Sequence, residues 1–318
     1  MIGAAYRGRF APSPTGDLHL GSAAAALVAW LRARAAGGTF VVRVEDIDRP
    51  RVVPGAEARQ LDELRWLGLD WDEGPDVGGP HAPYRQSKRS ERYVAALELL
   101  EARGLLFRCD CSRSEIARVA SAPHAGEDGP RYPGTCRRFG MQERPWRRAP
   151  AVRVVLPPGP VTVYDAWQGA FVQDPAATVG DVVLRRGDGV WSYQLACVVD
   201  DLAMGITEVV RGHDLLASAP RQVLLARALG GTPPAFAHLP LVVSSDGTRL
   251  AKRAGGTTLG AWRRAGRPPE AVVGVLAYTL GLRPAPAPIA ARDLVREFDP
   301  AALSGRATVR LPADVFSG

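Results

Sequence analysis

The sequence predicts an α/β fold built on a parallel, Rossmann-type sheet. Strand-like and helix-like patterns alternate from residue 8 onward, which is typical of βαβ units. Two acidic residues, Glu45 and Asp46, follow the second predicted strand, at the edge where open parallel sheets bind ligands. The 318 residues, 46% of them hydrophobic, are enough to bury a substantial core in one large domain or two smaller ones.

The first predicted unit is a strand, a helix and a second strand. A short strand is expected at residues 8–11, and an alanine-rich helix at 22–36 is ended by Gly37 and Gly38. Residues 39–44 are largely β-branched and apolar, so they are expected to form a buried strand. The crevice beside this helix is therefore the predicted binding site.

The alternation continues, with one interruption. Residues 107–160 are dense in Arg, Pro and Gly and contain most of the cysteines, so we predict an insertion there. We expect a Rossmann-type domain over 1–245, interrupted by this insertion, and a loop with a small helical C-terminal region over 246–318. A strand at 207–210 is expected to complete the sheet. The remaining expected elements are helices at 55–67, 87–103, 192–204, 258–264, 269–280 and 291–297, and strands at 151–156 and 181–185.

Composition narrows the class of protein. A formal net charge of +7 favours a polyanionic partner such as RNA, although many basic proteins bind no nucleic acid. No stretch approaches the roughly 18 apolar residues of a membrane span, and the first residues lack the apolar core of a signal peptide. Four cysteines are too few to stabilise a chain of this size through disulfide bonds. We therefore expect a cytoplasmic protein with no membrane partner.

The run His19-Leu20-Gly21-Ser22 opens the alanine-rich helix. A helix N-terminus offers unpaired amide donors and partial positive charge, so ATP phosphates can dock there. Gly21 lets a ligand approach the main chain, and His19 can donate a hydrogen bond to a reacting phosphate. Alone, this run is more often a polar cap on a helix. Together with matching elements elsewhere, it predicts nucleotidyl transfer.

A second cationic element lies at residues 245–253. A glycine turn there presents Arg249, Lys252 and Arg253 within five residues, which suits a departing pyrophosphate. Lys252 is the best candidate, because a mobile ammonium can follow charge that develops only in the transition state. A basic surface loop is the alternative.

These pieces together resemble the catalytic core of glutamyl-tRNA synthetases, which are class I enzymes. The resemblance covers roughly residues 7–255 and implies a class I synthetase Rossmann fold. The second signature departs from the family pattern, because Arg249 replaces a lysine and Ala251 a serine. The matching segments are residues 9–16, His19-Leu20-Gly21, residues 44–48, 193–196, 199–201 and 205–207, and Arg211-Gly212.

The resemblance implies which residues act in the site. Glutamate would be bound by Arg9, Ser13, Glu45, Tyr193 and Arg211. Arg211 suits the side-chain carboxylate and Glu45 the ammonium group, although single arginines and glutamates are more often surface charges, and tyrosines core residues. ATP, with Mg²⁺, would be bound by His19, Gly21, Ser22, Arg249, Lys252 and Arg253, of which His19, Gly21 and Lys252 would be catalytic.

Length separates two relatives within this family. Only 65 residues follow Arg253, too few for the large anticodon-binding helical domains of full glutamyl-tRNA synthetases, so we expect no such domain. The chain therefore resembles the shortened paralogous group, the glutamyl-queuosine tRNA(Asp) synthetases. This resemblance implies an enzyme that activates L-glutamate with ATP in the absence of tRNA and then glutamylates queuosine in tRNA(Asp). We expect the protein to be a monomer. Ordinary charging of tRNA(Glu), or a non-catalytic glutamate- or RNA-binding module, are the alternatives.

The cysteines in the insertion favour a metal. Cys109-x-Cys111 has a spacing more natural to a metal than to a disulfide. The resemblance implies one structural Zn²⁺ held by Cys109, Cys111, Tyr132 and Cys136, with His124 as an alternative fourth ligand. Free cytosolic thiols are the other interpretation.

Two further features carry weaker predictions. Cys197 lies on the helix expected at 192–204 and is expected to be a small apolar filler. A cluster of arginines around Trp146 could contact an RNA backbone, and a solvated face is equally consistent with it. These arginines are Arg137, Arg138, Arg144, Arg147 and Arg148.

Overall fold

The structure is a computed structural model that describes residues 5–119, 130–248, 250 and 258–313. Its strands are β1 (Arg7–Phe10), β2 (Thr39–Val42), β3 (Leu106–Cys109), β4 (Ala151–Val154), β5 (Val161–Asp165), β6 (Gly169–Gln173), β7 (Val182–Arg185), β8 (Glu208–Gly212), β9 (Ala235–Leu239), β10 (Leu241–Val243) and β11 (Thr308–Arg310). Its α-helices are α1 (Leu20–Ala35), α2 (Ala56–Trp66), α3 (Ser90–Ala102), α4 (Arg113–Val119), α5 (Pro175–Thr178), α6 (Tyr193–Ala203), α7 (Ala219–Ala228), α8 (Leu259–Arg264), α9 (Pro269–Leu280) and α10 (Ala291–Leu294).

The predicted βαβ unit is confirmed. Strands β1 and β2 pair in parallel, with Arg7 opposite Thr39, and helix α1 connects them. The helix begins two residues earlier than predicted because the His19 side chain caps it. Helix α3 begins later than predicted, because residues 86–88 form a separate 3₁₀ turn.

The main sheet is mixed, with parallel strands at its centre. Its hydrogen-bonded order is β6-β5-β9-β8, in which β9 is parallel to both β5 and β8, and β6 is an antiparallel edge strand. Strand β1 lies beside β8, where the backbone N–H of Thr207 donates to the Arg7 carbonyl at 2.9 Å. The parallel α/β architecture is thus confirmed.

The expectation that residues 207–210 complete the sheet is wrong. Strand β9 follows β8 in the chain and inserts between β8 and β5. Its sequence Ala-Phe-Ala-His-Leu has little β-branched character, so local pattern gives a weak signal. Pairing with both neighbours, which the sequence pattern does not show, decides its place.

The region predicted as an insertion contributes to a second sheet. Strands β3, β4 and β7 form an antiparallel sheet in that order. A separate small core lies beside it, built from Phe107, Cys109, Ile116, Tyr132 and Cys136. Residues 107–160 therefore include a local apolar cluster of their own, which agrees with an inserted unit.

Helix α1 lies at the centre of the largest core. Leu20, Leu27 and Leu31 on this helix are fully buried. The C-terminal helices pack against it, since Leu276 and Leu280 of α9 belong to the same apolar cluster. The predicted C-terminal helices at 258–264 and 269–280 are confirmed, and they brace the helix that carries the first signature element. Within the described residues, no helix combines the length and apolar character needed to cross a membrane.

Candidate active site

A cavity of about 810 Å³ opens at the carboxyl ends of β1, β2 and β8. This is the edge at which parallel α/β sheets bind ligands. The structure brings to it every described residue that the sequence predicts for glutamate and ATP binding. The lining residues include Arg9, Ser13, His19, Gly21, Ser22, Glu45, Tyr193 and Arg211.

His19 is held at the first turn of α1. Its Nδ1 accepts a hydrogen bond from the backbone N–H of Ser22 at 3.1 Å, and its Nε2 lies 3.0 Å from Ser22 Oγ. Since Nδ1 is an acceptor, the neutral ring carries its proton on Nε2. Burial lowers the pKa of His19, and the charge of Asp214 opposes this shift. The ring is therefore a neutral hydrogen-bond donor at neutral pH.

Gly21 makes room for the His19 ring. A Cβ at Gly21 would lie 3.1 Å from both Cε1 and Nδ1 of that ring. Such a contact is too close for an undisplaced ring. A side chain at residue 21 would therefore require the imidazole ring to shift from its position.

The predicted second signature falls largely outside the described residues. Arg249, Lys252 and Arg253 are not described, and neither is His124. Two described residues, one within this stretch and one after it, still connect it to the cavity. Leu250 lines the same cavity, and Thr258 forms an antiparallel bridge with His19.

The amino-acid end of the cavity is backed by a buried charge network. Arg43 is fully buried, and its Nη1 donates to Asp201 Oδ1 at 2.7 Å while its Nη2 donates to Glu45 Oε1 at 3.0 Å. Arg9 Nε donates to the same Asp201 oxygen at 3.2 Å. Burial raises the pKa of Glu45, against the effect of Arg43. Burial also opposes the charge on Asp201, but Arg9 and Arg43 hold the pKa of that carboxyl below its usual value.

A second layer supports this network. Asp200 is fully buried and accepts hydrogen bonds from Arg89 Nε at 2.6 Å, Tyr93 Oη at 2.8 Å and Gln86 Nε2 at 3.0 Å. Hydrogen bonds from several donors offset the free-energy cost of burying a carboxylate. Sequence analysis did not single out Arg43 or Arg89, although the pair Asp200-Asp201 is part of a matching segment. A single buried arginine has no local sequence signal.

Arg211 lies on β8 with its guanidinium at the cavity. Its Nε donates to His238 Nε2 at 2.9 Å, and its Nη1 donates to Gln222 Oε1 at 2.7 Å and to Tyr193 Oη at 3.4 Å. Its Nη2 donates to the Leu215 carbonyl at 3.2 Å. The surface-charge alternative for Arg211 is excluded, since the residue is 5% exposed.

Tyr193 and Ser13 complete the predicted amino-acid site. Tyr193 is the first residue of α6 and lines the cavity, so it is not a simple core residue. Burial raises the pKa of its phenol, which therefore stays protonated. Because it accepts from Arg211, its own O–H can donate to a bound carboxylate. Ser13 is exposed and lines the cavity from the loop that follows β1.

Three cysteines converge in the predicted insertion. The sulfurs of Cys109, Cys111 and Cys136 all lie within 4.8 Å of one another, a spacing that can hold a metal ion. The Tyr132 phenol oxygen accepts a hydrogen bond from the Cys136 backbone N–H at 2.9 Å. Tyr132 is 3% exposed. The donor set of three sulfurs and one buried oxygen fits a closed tetrahedral site.

Cys197 is buried as expected, but its neighbours are charged, since its Sγ contacts Asp201 at 3.4 Å and Arg43 at 3.8 Å.

The arginine cluster around Trp146 is largely paired within the protein, which favours an internal ionic network over a free RNA-binding patch. The pairs are Arg137 with Asp181, Arg144 and Arg147 with Asp110, and Arg148 with Glu115.

Comparisons with known proteins agree with this site. The chain is 53% identical to a glutamyl-Q tRNA(Asp) synthetase of Symbiobacterium thermophilum, over 98% of this chain and 97% of that protein. It is 46% identical to a glutamyl-Q tRNA(Asp) synthetase of Nitratidesulfovibrio vulgaris, again over 98% of this chain and 97% of the relative.

Solved structures show the same likeness. A glutamate tRNA ligase from Elizabethkingia meningosepticum, crystallised in complex with its amino acid, superposes with a TM-score of 0.82 at 30% identity. The match covers 98% of this chain and 68% of that one. The model of the class I tRNA synthetase (E and Q) catalytic domain matches residues 5–301. With this match and the cavity described above, the chain belongs to the class I tRNA synthetases of the E and Q family.

Proposed function

We propose that this enzyme activates L-glutamate with ATP, without requiring tRNA, and transfers the glutamate to the cyclopentenediol of queuosine at the wobble position of tRNA(Asp). The observation that carries the proposal is that Arg211, Glu45 and His19 share one cavity. The names of the relatives that the chain matches over nearly their whole length support queuosine in tRNA(Asp) as the acceptor.

The cavity provides complementary charges for glutamate. Arg211 Nη2 and the Tyr193 hydroxyl present two donors for the side-chain carboxylate. Glu45 would accept from the substrate ammonium, Ser13 would hydrogen-bond its polar atoms, and Arg9 would meet the remaining carboxylate. Glutamine would place an amide N–H₂ against these donors, which leaves them unpaired.

ATP would bind at the N-terminus of α1. Its phosphates would meet His19, the Gly21 backbone and Ser22, with Mg²⁺ bound to the nucleotide and Arg249, Lys252 and Arg253 closing over them. A carboxylate oxygen of glutamate attacks the α-phosphorus, and the bond from that phosphorus to pyrophosphate breaks. His19 and Lys252 would stabilise the negative charge that develops.

Transfer then consumes the mixed anhydride. A hydroxyl of the cyclopentenediol attacks the glutamyl carbonyl carbon, the hydroxyl proton is lost, and AMP departs with the electron pair of the broken bond. The mixed anhydride supplies AMP as a good leaving group for this step.

The insertion would carry a structural zinc. We assign Cys109, Cys111, Tyr132 and Cys136 as its ligands, because the three sulfurs cluster and the Tyr132 oxygen accepts a hydrogen bond from the backbone of Cys136. Bound zinc would hold residues 107–160 together and supply no step of the reaction. We also propose that residues 1–245 form a catalytic domain interrupted by this insertion and that residues 246–318 form a C-terminal region. The protein would act as a cytoplasmic monomer.

The decisive experiment compares acceptors. Purified tRNA(Asp), with and without queuosine, and tRNA(Glu) are incubated with the enzyme, ATP and labelled glutamate. We expect label on queuosine-containing tRNA(Asp) alone, and we expect it to survive enzymatic removal of the terminal adenosine. Label on tRNA(Glu) that is lost with that adenosine would instead identify an ordinary glutamate tRNA ligase. Failure to exchange pyrophosphate into ATP with glutamate would reject catalysis.

A further inference from the structure

Three neighbouring parallel strands place a carboxylate, an imidazole and a guanidinium in one line. Arg211 of β8 and His238 of β9 are register partners, and Asp165 ends β5 on the other side of β9. His238 Nδ1 lies 2.5 Å from Asp165 Oδ2, and His238 Nε2 lies 2.9 Å from Arg211 Nε. His238 is fully buried.

We propose that Asp165 and His238 are positioning residues that fix the orientation of the Arg211 guanidinium and so set the cavity's affinity for glutamate. The glutamate part of this inference rests on the proposed function. The orientation part rests on the hydrogen bonds alone.

The two outer groups determine the tautomer of the imidazole. Arg211 Nε can only donate, so His238 Nε2 must accept. Nδ1 therefore carries the proton and donates to Asp165. Burial lowers the pKa of His238 to about 4, which agrees with a neutral ring. Arg211 therefore donates a hydrogen bond to His238, and His238 donates one to Asp165.

The same arrangement leaves Arg211 little freedom to rotate. With Nε held by His238, Nη1 reaches Gln222 and Tyr193, and Nη2 reaches the Leu215 carbonyl. Rotation about the guanidinium would break several of these bonds at once. One N–H of Nη2 has no acceptor among the described residues, and Arg211 and Tyr193 both line the cavity.

A neutral histidine is a suitable partner for this purpose. A carboxylate in direct contact with Arg211 would hold the guanidinium but cancel the positive charge that a bound carboxylate needs. An imidazole holds the same N–H without adding a charge. Asp165 remains one residue further away and fixes the tautomer, as second-layer carboxylates do for other functional histidines.

The Asp165→Asn variant tests this arrangement with little change in shape. Asp165 Oδ1 accepts the backbone N–H groups of Trp167, Gln168 and His238, and an asparagine Oδ1 can keep all three. The asparagine N–H₂ would then face His238 Nδ1 and force the proton onto Nε2. The N–H at His238 Nε2 and the N–H at Arg211 Nε would then point at each other, so the guanidinium must move.

Two readouts are needed. Nitrogen NMR of the imidazole gives the tautomer without substrate, and ATP–pyrophosphate exchange gives KM for glutamate and for ATP. We expect the wild type to show Nδ1–H and Asp165→Asn to show Nε2–H. The variant's KM for glutamate should rise about tenfold or more, as loss of a hydrogen bond to a charged group implies, while its KM for ATP stays within twofold.

Further variants separate orientation from folding. His238→Gln supplies an amide oxygen that can accept from Arg211, so its KM for glutamate should rise less than that of His238→Leu. His81→Gln, which replaces a histidine outside the cavity, should leave KM unchanged. A wild-type Nε2–H tautomer would overturn the proposal. So would a switched tautomer in Asp165→Asn with an unchanged KM for glutamate.

The outcome also distinguishes this inference from the proposed function. A wild-type enzyme without glutamate-dependent exchange would overturn the proposed function and the glutamate part of this inference. The tautomers, measured without substrate, would still decide whether Asp165 and His238 orient Arg211.

Discussion

Nδ1 of His19 accepts the backbone N–H of Ser22 at 3.1 Å, so one side chain both caps helix α1 and borders the cavity. The cap uses Nδ1, whereas the ring hydrogen is on Nε2, which lies 3.0 Å from Ser22 Oγ and would donate to a bound phosphate in place of that hydroxyl. These two roles of the same ring can therefore be separated by substitution.

The His19→Asn variant should keep the helix cap and lose catalytic activity. An asparagine oxygen can occupy the position of Nδ1, and asparagine is a favoured N-cap residue, but it offers no donor where Nε2 lies. We expect glutamate-dependent pyrophosphate exchange to fall about 100-fold or more, with the melting temperature almost unchanged. His19→Ala should lose the same activity and, in addition, about 1 kcal/mol of stability from the missing cap. Full exchange activity in His19→Asn would remove His19 from the mechanism.

Arg43→Met should destabilise the fold strongly. Arg43 is fully buried between Asp201 and Glu45, so its removal leaves buried carboxylates without their cation. We expect the free energy of unfolding in urea to fall by about 3–5 kcal/mol. The control is Arg263→Met, because Arg263 and its partner Asp62 are both exposed and the pair should contribute about 1 kcal/mol or less. Equal losses in the two variants would contradict the role assigned to the buried network.

Stability should depend on pH through His238. Its pKa is lowered to about 4 in the folded protein, mainly by burial and against the effect of Asp165, with Arg211 and His213 also opposing its charge. In the unfolded chain the group should titrate near its ordinary value of about 6.5. Between these values the unfolded state binds more protons, so stability rises with pH, by about 3 kcal/mol across the window for this group.

His238→Gln isolates this contribution. Urea unfolding of wild type and variant is compared from pH 4 to 7, and the difference between the two curves should shrink as the pH falls toward 4. The pKa of Asp165 is lowered, so its own contribution is present above its ordinary value of about 3.9 and is lost mainly below that value, at the acid end of this window. Parallel stability curves for the two proteins would show that His238 is not held neutral.

Metal content should follow the cysteines of the insertion. We expect purified enzyme to contain one zinc per chain and Cys111→Ser to lose it, because the variant removes one of three clustered sulfurs. Cys197→Ser, which changes a buried cysteine outside the cluster, should retain zinc. Tyr132→Phe should retain zinc less well against a chelator, since it lacks the oxygen that we assign as the fourth ligand. Metal analysis by mass spectrometry measures all three, and zinc retained in Cys111→Ser would refute the assignment.

The sequence by itself predicted the local elements and the chemistry that depends on them. The body of helix α1 follows from alanine content and glycine stops, which act over a few neighbouring residues, whereas the structure adds the first turn, which the His19 side chain caps. The pocket residues Arg9, Glu45 and Arg211 were indicated by ordered motifs in the chain, and the structure places all three at one cavity.

How those residues are held depends on contacts between distant parts of the chain. The sequence pattern missed β9, and with it the contact of His238 to Arg211 and Asp165, because a strand's place in a sheet depends on partners distant in sequence. Arg43 was missed for a related reason, since a buried arginine is recognised by the carboxylates that surround it and not by its neighbours in the chain. Local interactions determine where helices and turns form, whereas the order of strands determines which side chains face each other across the cavity.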